Sequence, residues 1–295
     1  MNKVLLGILL CILTLTGCYP IDSLSGVTIE DARLSTMSKD YFVGVAEGDI
    51  ANHVGFNKIA FNATVGTAEE DIWFGSIGYV FPAVAQQMEL VSTSVEDDPV
   101  KADLSIGTGV HSVMIYYLDN AYAQKTETVT LNGLGIVTTA AANILRVNDI
   151  RAWTVGSAYK AVGNISIRNI AGTPVYRYLP AGFTRGRCSS YTVPLGKALY
   201  IMDWYVGVSG LNAGNYARLT LKSTYNELGS DNINGIILTP GLFFMPLAGM
   251  AMPNSSITRN FVIPIKVPAT CDVKVSAYSD SGAAVIETAY RGWTE

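Results

Sequence analysis

Thr126-Glu127-Thr128-Val129-Thr130-Leu131-Asn132-Gly133 settles the fold class. Thr126, Thr128 and Thr130 fall on one side of an extended chain, Val129 and Leu131 on the other. A period of two marks a strand with one wet face and one covered face. Asn132-Gly133 then supplies two residues that tolerate positive φ, as a tight hairpin turn requires. Ile136-Val137-Thr138-Thr139 begins the return, and Val113-Met114-Ile115-Tyr116-Tyr117-Leu118 precedes it, closed by the turn pair Asp119-Asn120.

The same rhythm extends in both directions. Residues 145–147, 152–155 and 164–168 read as short strands, and residues 198–208 as a long apolar one. Ala217, Leu219 and Leu221 alternate with Arg218, Thr220 and Lys222. Phe261, Ile263 and Ile265 are expected on one face, and Val273, Val275 and Ala277 alternate with polar neighbours. Pro246 is expected to cut the apolar run at 242–245. No amphipathic helix of a dozen residues is visible. Many short strands with Gly, Pro and Asn punctuation predict an all-β protein of sandwiches.

Turn formers cluster at Asn169-Ile170-Ala171-Gly172-Thr173-Pro174, the expected domain boundary. Two β-sandwiches follow, 41–170 and 175–295, after an N-terminal signal-like segment at 1–18 and a linker at 19–40. Val193-Pro194 and Val267-Pro268 each stand at a short corner, which gives the second sandwich a jelly-roll-like pattern.

Composition narrows the function classes. The 295 residues hold 20 Lys+Arg against 24 Asp+Glu, a formal net charge of −4, so no basic surplus exists to neutralise a nucleic acid. Charged residues are 15% of the chain, against a usual ~25%. Sparse charge with 28 Gly and 16 Tyr suits a surface that is covered by assembly. Two histidines, His53 and His111, leave little material for His chemistry. His111 and Ser112 are adjacent in a strand and point to opposite faces, so they are not read as a catalytic pair. Gly107-x-Gly109 leads into a strand rather than a helix, which rules out a phosphate cradle. Glu69-Glu70-Asp71 and Glu96-Asp97-Asp98 read as solvated turns without a cation-loop pattern. No metal, cofactor or catalytic residue is expected, and the chain is read as a non-enzyme.

Two further groups of residues stand out. Cys188 and Cys271 could pair if the protein is exported, or remain buried thiols; Arg185 and Arg187 flank Cys188 closely enough to favour its thiolate. Trp73, Trp153, Trp204 and Trp293 could form aromatic contacts, in the cores, at subunit contacts or on a sugar-binding face.

At the N-terminus, Lys3 precedes an apolar run at 4–15, too short for a bilayer at ~20 residues. It ends in Leu15-Thr16-Gly17-Cys18, which resembles a bacterial lipobox and implies cleavage before Cys18 and acylation of its sulfur. Met37-Ser38-Lys39-Asp40-Tyr41 reads as a second translation start, so the product is expected to begin at Met1 or at Met37.

The body also resembles a known group. Asp40-Tyr41-Phe42-Val43-Gly44-Val45-Ala46-Glu47-Gly48-Asp49-Ile50, Glu70-Asp71-Ile72-Trp73, Gly107-Thr108-Gly109, Tyr116-Tyr117-Leu118-Asp119, Leu145-Arg146-Val147-Asn148 and Tyr191-Thr192-Val193-Pro194-Leu195-Gly196-Lys197-Ala198 carry the likeness, in that order. The body is similar to β-rich structural proteins of tailed bacteriophages, especially phages of aquatic bacteria. That resemblance implies a virion component of the head, neck or tail surface, without enzymatic activity. Its partners would be other virion proteins or copies of itself, as a homo-oligomer. The alternative expectation is a lipid-anchored binding module of the bacterial outer membrane, which would recognise glycan. A membrane is a partner only if Cys18 is acylated.

Overall fold

The computed structural model describes residues 41–75, 78–224, 244–280 and 282–295. The lipobox-like segment, Cys18, the linker and Met37 lie outside the described residues. The described residues up to His53 belong to one unit and those from Val54 to Glu295 to another. In the first, Tyr41–Glu47 is a seven-residue helix, α1, where the first sandwich was expected to begin. Gly48, at φ 82°, ends it. The Asp49 N–H donates back to the Gly44 carbonyl at 2.9 Å.

The second unit is all β. Its strands are β1 (Val54–Val65), β2 (Glu70–Asp71), β3 (Met88–Ser92), β4 (Val110–Asp119), β5 (Gln124–Thr130), β6 (Val137–Thr138), β7 (Ile144–Val155), β8 (Ile165–Asn169) and β9 (Val175–Leu179). They continue with β10 (Tyr191–Thr192), β11 (Leu199–Ser209), β12 (Ala217–Ser223), β13 (Met245–Met252), β14 (Ser255–Val267), β15 (Asp272–Ser279) and β16 (Ala284–Thr294).

Two sandwiches result, each with its own core. Sheets β6-β3-β8-β9 and β5-β4-β7 enclose one cluster that includes Met88, Leu90, Val113, Ile115, Ile150 and Ile167. Sheets β1-β16-β11-β14 and β10-β15-β12-β13, with β2 added on β15, enclose the other, centred on Trp204, Ile201, Leu221, Val275 and Tyr290. Alternation decides which residues enter: Val113, Ile115 and Tyr117 of β4 point inward, while Met114 and Tyr116 do not.

The boundaries of these sandwiches differ from the expected halves. β1 and β2 lie inside 41–170, yet they pair with β16 and β15 of the second sandwich. The turn at 169–174, expected as the domain boundary, is a hairpin within one sheet: β8 pairs with β9, around a cis Thr173–Pro174 bond. Turn formers dictate a reversal of the chain, and a reversal serves a hairpin as well as a boundary. The predicted strands at 145–147 and 152–155 are parts of one twelve-residue strand, β7.

The paired corners behave as the jelly-roll-like pattern predicts. Val193-Pro194 carries the chain from β10 to β11, and Val267-Pro268 from β14 to β15, so both cross between the two sheets. They also bond to each other: the Val193 N–H donates to the Cys271 carbonyl at 3.0 Å, and the Thr270 N–H to the Val193 carbonyl at 2.8 Å. Pro246 is the second residue of β13, which among the described residues pairs only with β12 and slips its register just after Pro246; residues 242 and 243 of the apolar run lie outside the described residues. Ile263 is 83% exposed rather than aligned with Phe261 and Ile265. The register slips there, between Ile201↔Ile265 and Asp203↔Asn260, so residues 261–264 of β14 face only Met202 and bulge outward.

Candidate binding cleft

Asp149 and Arg151 are two apart on β7 and share a face. Arg185 lies across a single bridge from Arg151. One carboxylate oxygen, Asp149 Oδ2, accepts both Nε–H groups, from Arg151 at 3.0 Å and from Arg185 at 2.8 Å. The Arg151 guanidinium lies 4.8 Å from the ring centre of Tyr116, which pairs with Asp149 across the sheet. Arg185 also donates through Nη2 to the Asn57 carbonyl at 3.2 Å. Lys58 enters from β1 and donates its ammonium to the Asn148 carbonyl.

These groups sit at one end of the seam between the sandwiches, in a cleft of about 310 Å³. Its walls include Phe56, Tyr116, Tyr117 and Tyr191. Its lining carries four basic residues, Lys58, Arg151, Arg185 and Lys197, against one acid, Asp149. In a chain of net charge −4 this is a local positive site. Burial, reinforced by Arg177 nearby, pushes the Lys58 ammonium down to about 7, with Asp149 pulling the other way. Burial opposes ionisation of Asp149, but Lys58, Arg185 and Arg151 outweigh it and hold the carboxyl below the usual range.

The other end of the seam is closed. Arg146 of β7 clamps Asp272 of β15 through Nε and Nη2, both at 3.1 Å, and donates to the Pro82 carbonyl at 2.6 Å. Between the two ends, Asn148, which also lines the cleft, exchanges two hydrogen bonds of 2.8 Å with Thr192. Arg177, 1% exposed, donates to the carbonyls of Val147 and Ser190.

The residues singled out in the sequence fall in several places. Trp204 is fully buried and donates from Nε1 to Thr288 Oγ1 at 2.8 Å. Trp73 packs with Tyr79 and Tyr178, and Trp293 stacks flat on Tyr200 at 5.0 Å. Of the four, Trp153 alone is open, at 60%. Cys188 and Cys271 are both buried free thiols in this structure. Cys188 Sγ lies 3.1 Å from Ser190 Oγ, and Cys271 belongs to the core of the second sandwich. Arg185 turns to Asp149, and Arg187 to Glu287 at 3.9 Å and the Phe183 ring. His111 Nε2 bonds the Gly107 carbonyl at 2.7 Å, while Ser112 Oγ bonds Thr154.

Asp97 overturns the solvated-turn reading of its cluster. It is fully buried, and its carboxylate accepts Ser92 Oγ at 2.6 Å and the N–H groups of Val110, Val162 and Gly163 at 2.8–3.0 Å. Gly109 is small for that reason: a Cβ there would meet Asp97 Oδ1 at 2.0 Å. Asp71 is likewise buried, held by Lys274, Ser276 and the Tyr79 N–H. Among the described residues no group of three His, Cys, Asp or Glu side chains could hold a metal. No described helix is long and apolar enough to cross a membrane.

Sequence reasoning missed Lys58, Asp149 and Arg151. The alternation Asp149-x-Arg151 was a usable signal, since it sets opposite charges on one strand face. Nothing local announced Lys58, which is 90 residues from Asn148.

Comparison with known proteins adds little to this geometry. No family model matches the chain, and no curated protein matches it. Among solved structures, it is aligned with the crystal structure of the infectious bursal disease virus VP2 subviral particle at 9% identity and a TM-score of 0.18. That alignment covers 82% of this chain and 72% of the other, and a score so low carries no argument about function.

Proposed function

We propose that this chain is a non-enzymatic structural subunit of a bacteriophage virion, acting through contacts with copies of itself or with other virion proteins. The observation that carries the reading is the bulge of β14. Val262 is fully exposed and Ile263 is 83% exposed, on a thirteen-residue strand that pairs, among the described residues, only with β11. Ile257, 49% exposed, extends the apolar surface along the same strand. An aliphatic knob on a sheet edge is a liability for a monomer and a natural contact for a neighbour. The low charge of the whole chain supports the same reading.

Two measurements test it. Mass spectrometry of purified particles is expected to find peptides from 41–290, and particles without them would end the proposal. Light scattering on the full chain should show a defined oligomer that Val262→Ser with Ile263→Ser dissociates. A second reading, a lipid-anchored module of the outer membrane, is favoured by Leu15-Thr16-Gly17-Cys18. Cys18→Ala separates the two: the anchored form moves from the membrane fraction to the soluble one, and the virion subunit is unaffected.

A further inference from the structure

The structure assigns to the cleft, we propose, a saccharide that bears a carboxylate. The site goes beyond the assembly reading and does not depend on it. Asp149 engages Arg151 and Arg185 through Nε alone, which fixes both guanidinium planes. Among the described residues neither η nitrogen of Arg151, nor Nη1 of Arg185, makes a hydrogen bond. The side chains of Arg151 and Arg185 are 44% and 33% exposed, so these donors face the opening. Two oriented guanidinium edges are a built receptor for a planar anion, and a carboxylate matches them through paired N–H···O bonds.

The class of ligand follows from what stands beside the arginines. Trp153 is two residues beyond Arg151, about 6–7 Å along the strand. It is the extra residue where β7 slips its register, with Ser112 opposite Thr154 and Val113 opposite Ala152. That bulge leaves the indole 60% exposed, while the other three tryptophans are buried. Trp153 is not among the residues that line the cleft; it stands past Arg151 on the same strand, where its open indole offers a stacking platform for the C–H face of a pyranose whose carboxylate reaches the arginines. Asn57, Gln124 and Thr294 line the rest of the cleft with groups suited to hydroxyls. An acidic peptide would use the arginines and leave the indole idle, so the saccharide is the better match.

The experiment is a titration of the full chain with glucuronate, glucose, succinate and a short polyglutamate peptide, followed by calorimetry. Glucuronate is expected to bind, and glucose to bind at least tenfold more weakly, because it lacks the charge-assisted pair. Arg151→Gln should cost about tenfold in glucuronate affinity. Trp153→Ala should cost roughly three- to tenfold. Circular dichroism checks that each variant is folded. If Arg151→Gln does not fold, Arg185→Gln replaces it, and the wild-type Trp153 indole resonance must shift with glucuronate but not with chloride. No binding of glucuronate, or equal binding by the arginine variants, overturns the assignment. Succinate or polyglutamate binding as tightly as glucuronate overturns it too, since the site would then read an anion or an acidic peptide rather than a sugar.

Discussion

The two ends of the inter-sandwich seam use the same chemistry to opposite ends. At the closed end, Arg146 spends its guanidinium on Asp272 and the Pro82 carbonyl, with 12% of its side chain exposed. At the open end, Arg151 and Arg185 share one oxygen of Asp149 and keep donors toward the cleft. The counter-ion sits on a different element in each case. Asp272 belongs to the other sandwich, so its pair ties two bodies together. Asp149 is two residues from Arg151 on the same strand, so its pair orients side chains without bridging the seam. An arginine whose carboxylate comes from across an interface is a fastener; one whose carboxylate comes from its own strand is held ready for something else.

The largest effect should come from breaking the fastener. Asp272→Ala leaves Arg146 buried against Phe81 and Tyr122 without its carboxylate. Removing one partner of a buried pair costs about 3–5 kcal/mol. For a chain of this size that is a fall in Tm of roughly 6–20 °C. Differential scanning calorimetry reads it. Replacing both partners, by Arg146→Met with Asp272→Leu, should recover most of the loss, because no uncompensated charge remains. A single variant as stable as wild type would mean that this end of the seam is no tighter than the other.

How far these roles were legible in the sequence depends on their range. β5 was readable because alternation is local, and Val129 is buried; Asn132-Gly133 does turn the chain, with Gly133 at φ 52°, but the expected hairpin is not formed, because the return strand β6 pairs with β3 in the other sheet and not with β5. β12 was readable for the same reason, with Leu219 and Leu221 in the core. The segment 169–174 was legible as a turn but not as a hairpin, since its residues fix a reversal and not the strands that flank it. Asp97 looked like a solvated charge because its four donors come from residues 92, 110, 162 and 163, brought together only by the fold. The cleft follows the same rule. Asp149-x-Arg151 is written in the strand, while Lys58 and Arg185 arrive from β1 and the segment after β9.

Next in size is the effect of Lys58, which reaches from β1 into the cleft. Its ammonium, faced by Asp149, Arg177, Arg185 and Cys188, has a value of about 7 in the folded protein against an ordinary 10.5. Below pH 7 it is charged in both states, and the folded state bears the cost of a buried cation. Between pH 7 and 10.5 the folded protein gives up a proton that the unfolded chain retains, so stability rises with pH across that window. Lys58→Met should flatten this rise and raise stability at pH 6 by on the order of 2–4 kcal/mol. Urea unfolding at pH 6, 8 and 10 checks it. A wild-type stability that falls from pH 7 to 10, with the Met variant unchanged, would remove Lys58 as the cause.

The smallest effect is the one that separates the two ends most sharply. Arg151→Gln removes a cation whose side chain is 44% exposed and whose partner, Asp149, keeps Arg185 and Lys58 nearby. Exposed pairs contribute about 0–1 kcal/mol, so Tm should change by no more than about 4 °C. Arg146→Gln, the same substitution five residues earlier on the same strand, should lose several times as much, because its amide cannot satisfy both Asp272 oxygens and the Pro82 carbonyl. Equal losses at the two positions would mean that Arg151 also fastens the seam, and that its donors are not held in reserve for a ligand. Unequal losses, with Arg151 nearly free of structural cost, are what a strand would show if it fastened two bodies at one end and kept a receptor open at the other.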